Sequence, residues 1–562
     1  MLSGVALGVP VSIPTPGGPI VLDLSHAGPA GQLVEPEPPS DAGFRPPTIF
    51  SAPLPVGSGA RALGQGGAFT AVADDATAAS WNPAGLPQLE TAELSLVYRC
   101  AGREDRYDSR TADLEAGVDD YSSSEFNYLS AVYPFLLNDH NAVVSFNYQE
   151  AYDFTQEFSA RFSGGGAQEV DTLIEQTFTD TVTNRFVNPS QDITVISRVV
   201  TDTHSRIEQV LNSSLLSGID FRQAGTIDAV SPAFALELTP KFSVGMTVNL
   251  YTDGASRGNP IESVMVAEYA GTSDSAANVA DTRNSTAEIS WDGVWYDGPT
   301  ANPVSNPVSG TQTNYLSDAD TNVQQDLYAV DGLYRETNRT DDFHGVNATF
   351  GALWSANEKL QLGASLDLPW TGEGTQTKRI EHREKVFDSG GTLIGETFSQ
   401  ETRVSDVEYT FPLYWSVGAL WRWSDRLYSS LDVSRTDWSD FSYKAEGEER
   451  INPLNGEPHA SSSLDDCWSV RLGSEYLCML SWTEIPLRGG VFWEQRPAVG
   501  APDEYCGFSL GSGVSVGKGS RKVILDAAYV FECADDVMGS LLPEQAVTAD
   551  STKHQLYLSA IW

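Results

Sequence analysis

The sequence predicts an all-β fold, a fourteen-stranded antiparallel β-barrel that crosses a membrane. Three observations carry this expectation. Apolar residues recur with period two from residue 92 onward, short polar turns alternate with long excursions, and the strand-like segments come to an even fourteen. Alternation of that kind marks half-buried strands. Short turns on one side and long loops on the other are the asymmetry of single-chain outer-membrane barrels.

Composition alone points elsewhere. The 562 residues have a mean hydropathy of −0.24 and 20% charged side chains. No run reaches the ~18 apolar residues of a transmembrane helix. Barrels hide their membrane signal in alternation, however, and 13 Trp and 21 Tyr suit interfacial anchoring. A net charge of −42 excludes a nucleic-acid partner, because phosphate neutralisation needs Lys and Arg. The acidity reads as a solvated or salt-adapted surface. No Asp/Glu spacing resembles an EF-hand loop.

Residues 1–49 read as an atypical leader or flexible extension. The opening MLSGVALGVP is apolar without a basic start, and EPEPPSDAGFRPP is a Pro-rich, acidic linker. Strands are expected near 92–99, 126–137, 141–154, 228–239, 242–252, 344–355, 359–371, 404–423, 426–442, 466–478, 485–495, 506–518, 521–532 and 551–562. In KLQLGASLDLPW, Leu360, Leu362, Ala364, Leu366, Leu368 and Trp370 share one face, and Gln361, Gly363, Ser365 and Asp367 the other. FSVGMTVNLY sets Phe242, Val244, Met246, Val248 and Leu250 against Ser243, Gly245, Thr247 and Asn249. Apolar faces must meet lipid and polar faces the lumen, since only a closed sheet satisfies its backbone inside a bilayer.

Short turns (137–141, 238–242, 355–359, 423–427, 480–484, 517–522) alternate with longer excursions, of which 155–227 and 253–343 are expected to be long extracellular loops. Trp354, Trp370, Trp421, Trp423, Trp438, Phe492 and Trp493 are expected in interfacial girdles. Pro412 removes a ladder donor from the eighth strand and predicts a kink.

No enzyme, cofactor or metal site emerges. GQGGAFTAVADDA lacks the strand before it and the Gly-Lys-Ser/Thr after it that a nucleotide loop needs. The seven histidines are scattered without ligand spacing. LGSGVSVG (510–517) lacks the strand-to-helix turn of a hydrolase nucleophile. Of five cysteines, Cys506 and Cys533 fall opposite each other when the hairpin is registered on Gly519-Ser520. Directly opposed residues lie within bridging range, so the pair is either a disulfide or two free thiols.

The stretch ARALGQGGAFTAVADDATAASWNPAGL (60–86) resembles the long-chain fatty-acid transporter family of bacterial outer membranes, the FadL/TodX type, which has aromatic-hydrocarbon relatives. The likeness rests on Ala60 to Gly64, Gly66-Gly67-Ala68-Phe69, Ala73-Asp74-Asp75-Ala76 and Asn82-Pro83-Ala84-Gly85-Leu86, and continues in 414–441 with Asp437-Trp438-Ser439. The resemblance implies a hatch over 50–91 inside the lumen of a barrel spanning 92–562, with Gly64, Gly66, Gly67, Phe69, Asp74, Asp75, Asn82, Pro83 and Ala84 as hatch and gating residues. The residues themselves suit a plug. Gly66 and Gly67 permit positive φ, Asp74, Asp75 and Thr77 can cap a short helix, and Asn82 before Pro83 sets an extended exit.

By the same resemblance the activity is diffusive uptake of hydrophobic or amphipathic small molecules, fatty acids or hydrocarbons. Outer loops capture the molecule, and it leaves sideways at the third strand, whose lumen face holds Ser145, Asn147 and Gln149. The implied setting is a monomer in the lipid of a bacterial outer membrane, without cofactor. The strong acidity argues against carboxylate-bearing substrates unless Lys or Arg line the pocket. A plugged component of a secretion or surface-assembly machine and a general porin are the alternatives.

Overall fold

The computed structural model describes residues 10–13, 20–23, 54–55, 57–109, 113–116, 118–188, 191–253, 260–297, 304–454, 456–480, 483–498, 501–516, 523–537 and 547–562. Most of the expected leader or extension (1–49) lies outside the described residues; within it, Pro10–Ile13 pairs antiparallel with Ile20–Asp23.

Fourteen strands form the wall. They are β1 (Glu93–Ser109), β2 (Val118–Leu137), β3 (His140–Asp153), β4 (Thr226–Thr239), β5 (Phe242–Thr252), β6 (Val304–Ser355), β7 (Leu360–Asp367), β8 (Tyr414–Ser424), β9 (Leu427–Thr436), β10 (Cys467–Met479), β11 (Glu484–Arg496), β12 (Asp503–Val516), β13 (Val523–Val537) and β14 (Val547–Ile561). Each pairs antiparallel with the next wall strand, and β14 closes on β1 from Ile561↔Ser95 to Val547↔Ser109. The ring has no edge, so the whole wall satisfies its own backbone.

The wall is inside out. On β7, Gln361 and Ser365 are buried while Leu366 is exposed, and on β5, Ser243, Thr247 and Asn249 are buried while Phe242, Met246 and Leu250 are exposed. Apolar side chains on the outer face and satisfied polar ones within are what a bilayer solvent demands. Short turns join the strands at one end where they are described; the expected turn 517–522, with Gly519-Ser520, and residues 481–482 of the turn 480–484 lie outside the described residues. Between β2 and β3, Asn138 and Asp139 take φ 50° and 64°, the paired positive values of a two-residue hairpin turn that Asn and Asp tolerate.

At the other end the structure departs from the expected loops. The expected loops are largely paired strand: Gln156–Asn188 pairs with Gln191–Ala224, that strand with Ile261–Asp297, and the latter with β6. β6 runs unbroken from this outer sheet into the wall, where its residues 344–355 meet β5 and β7. The reason is local chemistry. These segments are rich in Thr, Val and Ile, which favour strands even when the alternation is too polar to read as membrane-spanning.

The kink expected at Pro412 is a full break. Leu393–Phe411 belongs to the outer sheet and β8 begins at Tyr414, so the expected strand 404–423 is two strands. Strand β7 likewise ends at Asp367, before Leu368-Pro369.

The girdle expectation needs correction. Trp354, Trp421 and Trp423 are exposed near the short-turn end, and Trp493 lies half-buried on the outer face. Trp370, Trp438 and Phe492 are instead buried on the inside. The break at Pro369 reverses the parity that assigned Trp370 outward, Trp438 sits in a 3-10 turn after β9, and Phe492 shares the inward parity of Arg488. Trp415 and Trp468, packed edge to face at 5.6 Å, stand on the outer side near the long-loop end.

Candidate functional site: the hatch and the cavity beside it

Residues 57–91 lie within the ring. The segment is small-residue-rich because it must meet backbone rather than lipid. It folds as two single-turn helices, Ala60–Leu63 and Ala78–Trp81, followed by a 3-10 stretch, Pro83–Gln88. Gly66 and Gly67 sit at φ 69° and 74°, the left-handed region that glycine reaches without strain. Asp75 Oδ1 accepts from Thr77 N at 2.8 Å and Thr77 Oγ1 at 2.6 Å, whereas Asp74 turns to Arg61 at 3.0 Å. Asn82, fully buried, donates from Nδ2 to Thr70 O (2.8 Å) and Ala352 O (3.1 Å) and accepts at Oδ1 from Ala84 N (3.1 Å). Phe69 is buried and meets Trp81 edge to face at 6.1 Å.

The wall answers the hatch with its own small residues. Gly245 and Gly351 are cross-strand partners, as are Gly363 and Gly418, and Gly473 and Gly490. A Cβ on Gly245, Gly351, Gly363, Gly473 or Gly490 would overlap hatch atoms of Pro83, Asn82, Thr70, Gln65 or Gly66 respectively. Side-chain hydrogen bonds complete the seat. Ser509 Oγ accepts from Gly66 N (2.7 Å), Asp432 Oδ2 from Thr70 N (2.7 Å), and Thr247 Oγ1 and Ser430 Oγ donate to Ala79 O (2.8 Å) and Ala68 O (2.7 Å). Arg61 bridges Asp74 to Glu475 (3.3 Å) of β10, and Arg488 of β11 shares that carboxylate at 2.6 Å. None of these contacts is part of the wall ladder.

Against one side of the hatch lies a cavity of ≈ 320 Å³, bordered by Gly66, Gly67, Thr70 and Trp81 below and by wall residues around it. One flank is aromatic. The Trp370 ring is stacked between Tyr251 (centroids 3.9 Å, 13°) and Phe411 (4.3 Å, 5°), with Tyr152 5.1 Å from Phe411. The other flank is ionic. Five cations (Arg99, Arg103, Arg471, Arg496, Lys553) and five carboxylates (Asp153, Asp367, Asp432, Glu494, Glu532) line it, so the chain's excess acid does not set the local balance. Arg99 pairs with Glu150 and Asp153, Arg103 with Asp105, Arg471 with Glu494, and Arg496 with Glu494 and Glu532. Among the described residues, Lys553 makes no ion pair or hydrogen bond.

Ser145 and Asn147 of β3 are buried on the inner face, with Asn147 Nδ2 donating to Ser231 O at 2.6 Å, and Gln149 borders the cavity. Outside, Leu94, Ala131, Tyr133, Val144 and Phe146 surround a shallow depression in the wall over β1 to β3. Cys506 and Cys533 are cross-strand partners as expected, and both thiols are free. Among the described residues no His/Cys/Asp/Glu group is arranged to hold a metal.

Sequence reading missed the aromatic stack, because its rings come from strands that the chain separates by breaks at Pro369 and Pro412. It also missed Lys553, although the alternation in KHQLYLSAIW places Lys553 on the same face as buried Tyr557 and Ser559.

No family model matches the chain, and no curated protein matches it. Among solved structures, it is similar to a Pseudomonas aeruginosa FadL homologue (13% identity, 91% of this chain and 99% of that one, TM-score 0.46). It is also similar to the CymD monoaromatic hydrocarbon channel (12% identity, 91% and 98%, TM-score 0.42). A third is the Pseudomonas putida toluene transporter TodX (12% identity, 90% and 98%, TM-score 0.42).

Proposed function

We propose that the chain is a bacterial outer-membrane channel for diffusive uptake of a hydrophobic or amphipathic small molecule, a fatty acid or hydrocarbon, released past a movable hatch. The observation that carries this reading is the aromatic-flanked cavity bordered by Gly66, Gly67, Thr70 and Trp81, inside a wall that closes on itself. Burying an alkyl chain there contributes about 0.8 kcal/mol per CH₂, which supports capture without nucleotide or covalent chemistry. Trp370 and its neighbours offer flat apolar surface to such a chain. The depression outside β1 to β3 supports a sideways exit in the region of Ser145, Asn147 and Gln149.

Lys553 favours the amphipathic substrates over neutral hydrocarbons. Lys553, which makes no direct ion pair but stands in the field of Glu532 and Asp153, can take a carboxylate head group while the tail lies along the aromatic flank. A charge-assisted hydrogen bond contributes about 1.5–3 kcal/mol, roughly tenfold or more in affinity.

The test is uptake of labelled long-chain fatty acid and labelled alkane by deletion cells carrying wild type, Lys553→Gln or a deletion of Gly66 to Asn82. Unchanged uptake on losing the protein removes the transport reading. Lys553→Gln is expected to slow fatty-acid uptake about tenfold and spare the alkane; equal loss of both refutes the head-group role alone. Wild type in a planar bilayer should conduct little, whereas steady ion conductance would support the general porin.

A further inference from the structure

The charges that border the cavity pair off almost completely. Arg99 holds Asp153 at 2.9 Å, Arg471 holds Glu494 at 2.5 Å, and Arg496 holds Glu494 and Glu532 at 2.6 Å each. Arg103 is engaged by Asp105 at 2.8 Å. Asp432 is taken by the hatch, since its Oδ2 accepts from Thr70 N at 2.7 Å. Two charges are left over, Lys553 and Asp367. Asp367 is half-buried at the cavity wall. Its Oδ1 is buried without a hydrogen-bond partner, no cation stands against it, and the Thr349 hydroxyl lies across the ladder from it.

The two leftovers come from opposite sides of the lumen. Lys553 is on β14 and Asp367 on β7, seven strands apart in either direction round the ring of fourteen. The aromatic stack lies on the Asp367 side. Trp370 follows Asp367 by three residues, just past the break at Pro369, and the carboxylate is close enough to act on the hydroxyls of Tyr152 and Tyr251. A chain whose carboxylate sits at Lys553 and whose tail lies along Trp370 therefore ends beside Asp367. We infer that the substrate carries a second polar group, an O–H or N–H donor at the end of the chain remote from its carboxylate, and that Asp367 receives it.

A plain alkyl end is the wrong partner for this position. It would shut Asp367 away from the cavity and supply nothing to it, and a buried charge without a donor opposes binding. A hydroxyl or ammonium supplies a charge-assisted hydrogen bond, one of the stronger kinds. The neighbouring rings suit both donors. The methylenes before a hydroxyl lie on the apolar faces, and an ammonium is drawn to those faces as well. The class is thus a long-chain fatty acid with a hydroxyl or amino group at its far end. The inference rests on the reading of this cavity as a substrate site and adds a selection among amphipathic molecules.

The test is binding to the purified full-length protein in detergent, by competition against labelled palmitate. The competitors are palmitate, ω-hydroxypalmitate, ω-aminopalmitate and α-hydroxypalmitate. Wild type is expected to bind an ω-derivative roughly tenfold or more tightly than palmitate, and α-hydroxypalmitate no more tightly. A gain for both ω-derivatives assigns Asp367 to any donor, and a gain for the amino derivative alone assigns it to a cation. In Asp367→Leu the ratio should fall to about one. Asp367→Asn, which keeps an acceptor of the same size, should retain part of a hydroxyl preference and lose an ammonium preference. Each variant is first checked for the heat-modified gel mobility of a folded barrel. Equal affinity for palmitate and both ω-derivatives in wild type, an equal gain from the α-hydroxyl, or a preference that survives Asp367→Leu overturns the inference and leaves the transport reading standing. Failure of every probe to bind removes both.

Discussion

Gly351→Val tests whether the hatch is held by close approach to the wall. Gly351 is on the lumen side of β6, paired with Gly245 and Ser365. A Cβ there would overlap Asn82 Oδ1 and approach Ala84 N at 2.8 Å and Pro83 Cδ at 2.9 Å. The wall ladder does not change, so the strain falls on the Asn-Pro-Ala segment. Expelling Asn82 from the wall removes its bond to Ala352 O, while those with Thr70 O and Ala84 N lie within the same segment. At about 1 kcal/mol net for the lost bond and about 2 kcal/mol for an overpacked Cβ, the seated state loses about 3 kcal/mol. That corresponds to roughly a 150-fold rise in the population of displaced hatch. Single-channel recording should therefore show openings in Gly351→Val that are rare in wild type, and proteolysis should cut 60–90 faster. The control is Ala348→Val, on the lipid-facing side of the same strand. Wild-type conductance and proteolysis in Gly351→Val, or equal openings in Ala348→Val, would refute the reasoning.

Other consequences can be measured directly. Trp370→Ala empties the centre of a three-ring stack; truncation of a buried Trp costs about 3–5 kcal/mol, so thermal unfolding should fall clearly and Trp370→Phe should recover much of it. In the outer sheet, burial alone would raise the Glu336 carboxyl, but Lys378 Nζ at 2.8 Å and bonds from Tyr334 and Asn338 hold it below its ordinary value. A depressed carboxylate stabilises above its unfolded pKa and loses that contribution as pH falls through the folded one. Hydrogen exchange at 329–345 and 372–387 should accordingly quicken on acidification below the usual Glu range, and Glu336→Gln should abolish the step. Mild oxidation should join Cys506 to Cys533, read as loss of both thiols and a linked peptide pair; retention of both thiols would mean that the outer-face geometry keeps them apart.

The wall was legible because a bilayer forces a strict rule: every second residue meets lipid. Leu360, Leu362, Leu366 and their polar partners obey it, and so do the short turns. Legibility failed where the rule lapses. Beyond the bilayer neither face of the outer hairpins meets lipid, so their weaker alternation reads as loop. At Pro369 and Pro412 the chain leaves the wall, and parity carried across the break misassigns Trp370. The small-residue motif at 60–86 could be seen, but the wall residues it packs against could not. Gly351 and Gly490 look like ordinary lumen residues until register brings them against Asn82 and Gly66. The ion pairs of Arg99 and Arg61 join residues far apart in the chain, and no spacing announces them.

The seam between β14 and β1, fastened at its end by Leu94 N to Trp562 O (2.8 Å) and Trp562 N to Leu94 O (2.9 Å), dictates an itinerary for biogenesis. The interior segment precedes β1 in the chain, and the wall that surrounds it is complete only when β14 arrives. If the last zipper closed on an empty tube, the amino-terminal arm would have to thread an already sealed vessel. Tucking first and sealing last avoids that, so slowed insertion, rather than leakage alone, is the phenotype to look for when Asn82 or its glycine neighbours are altered.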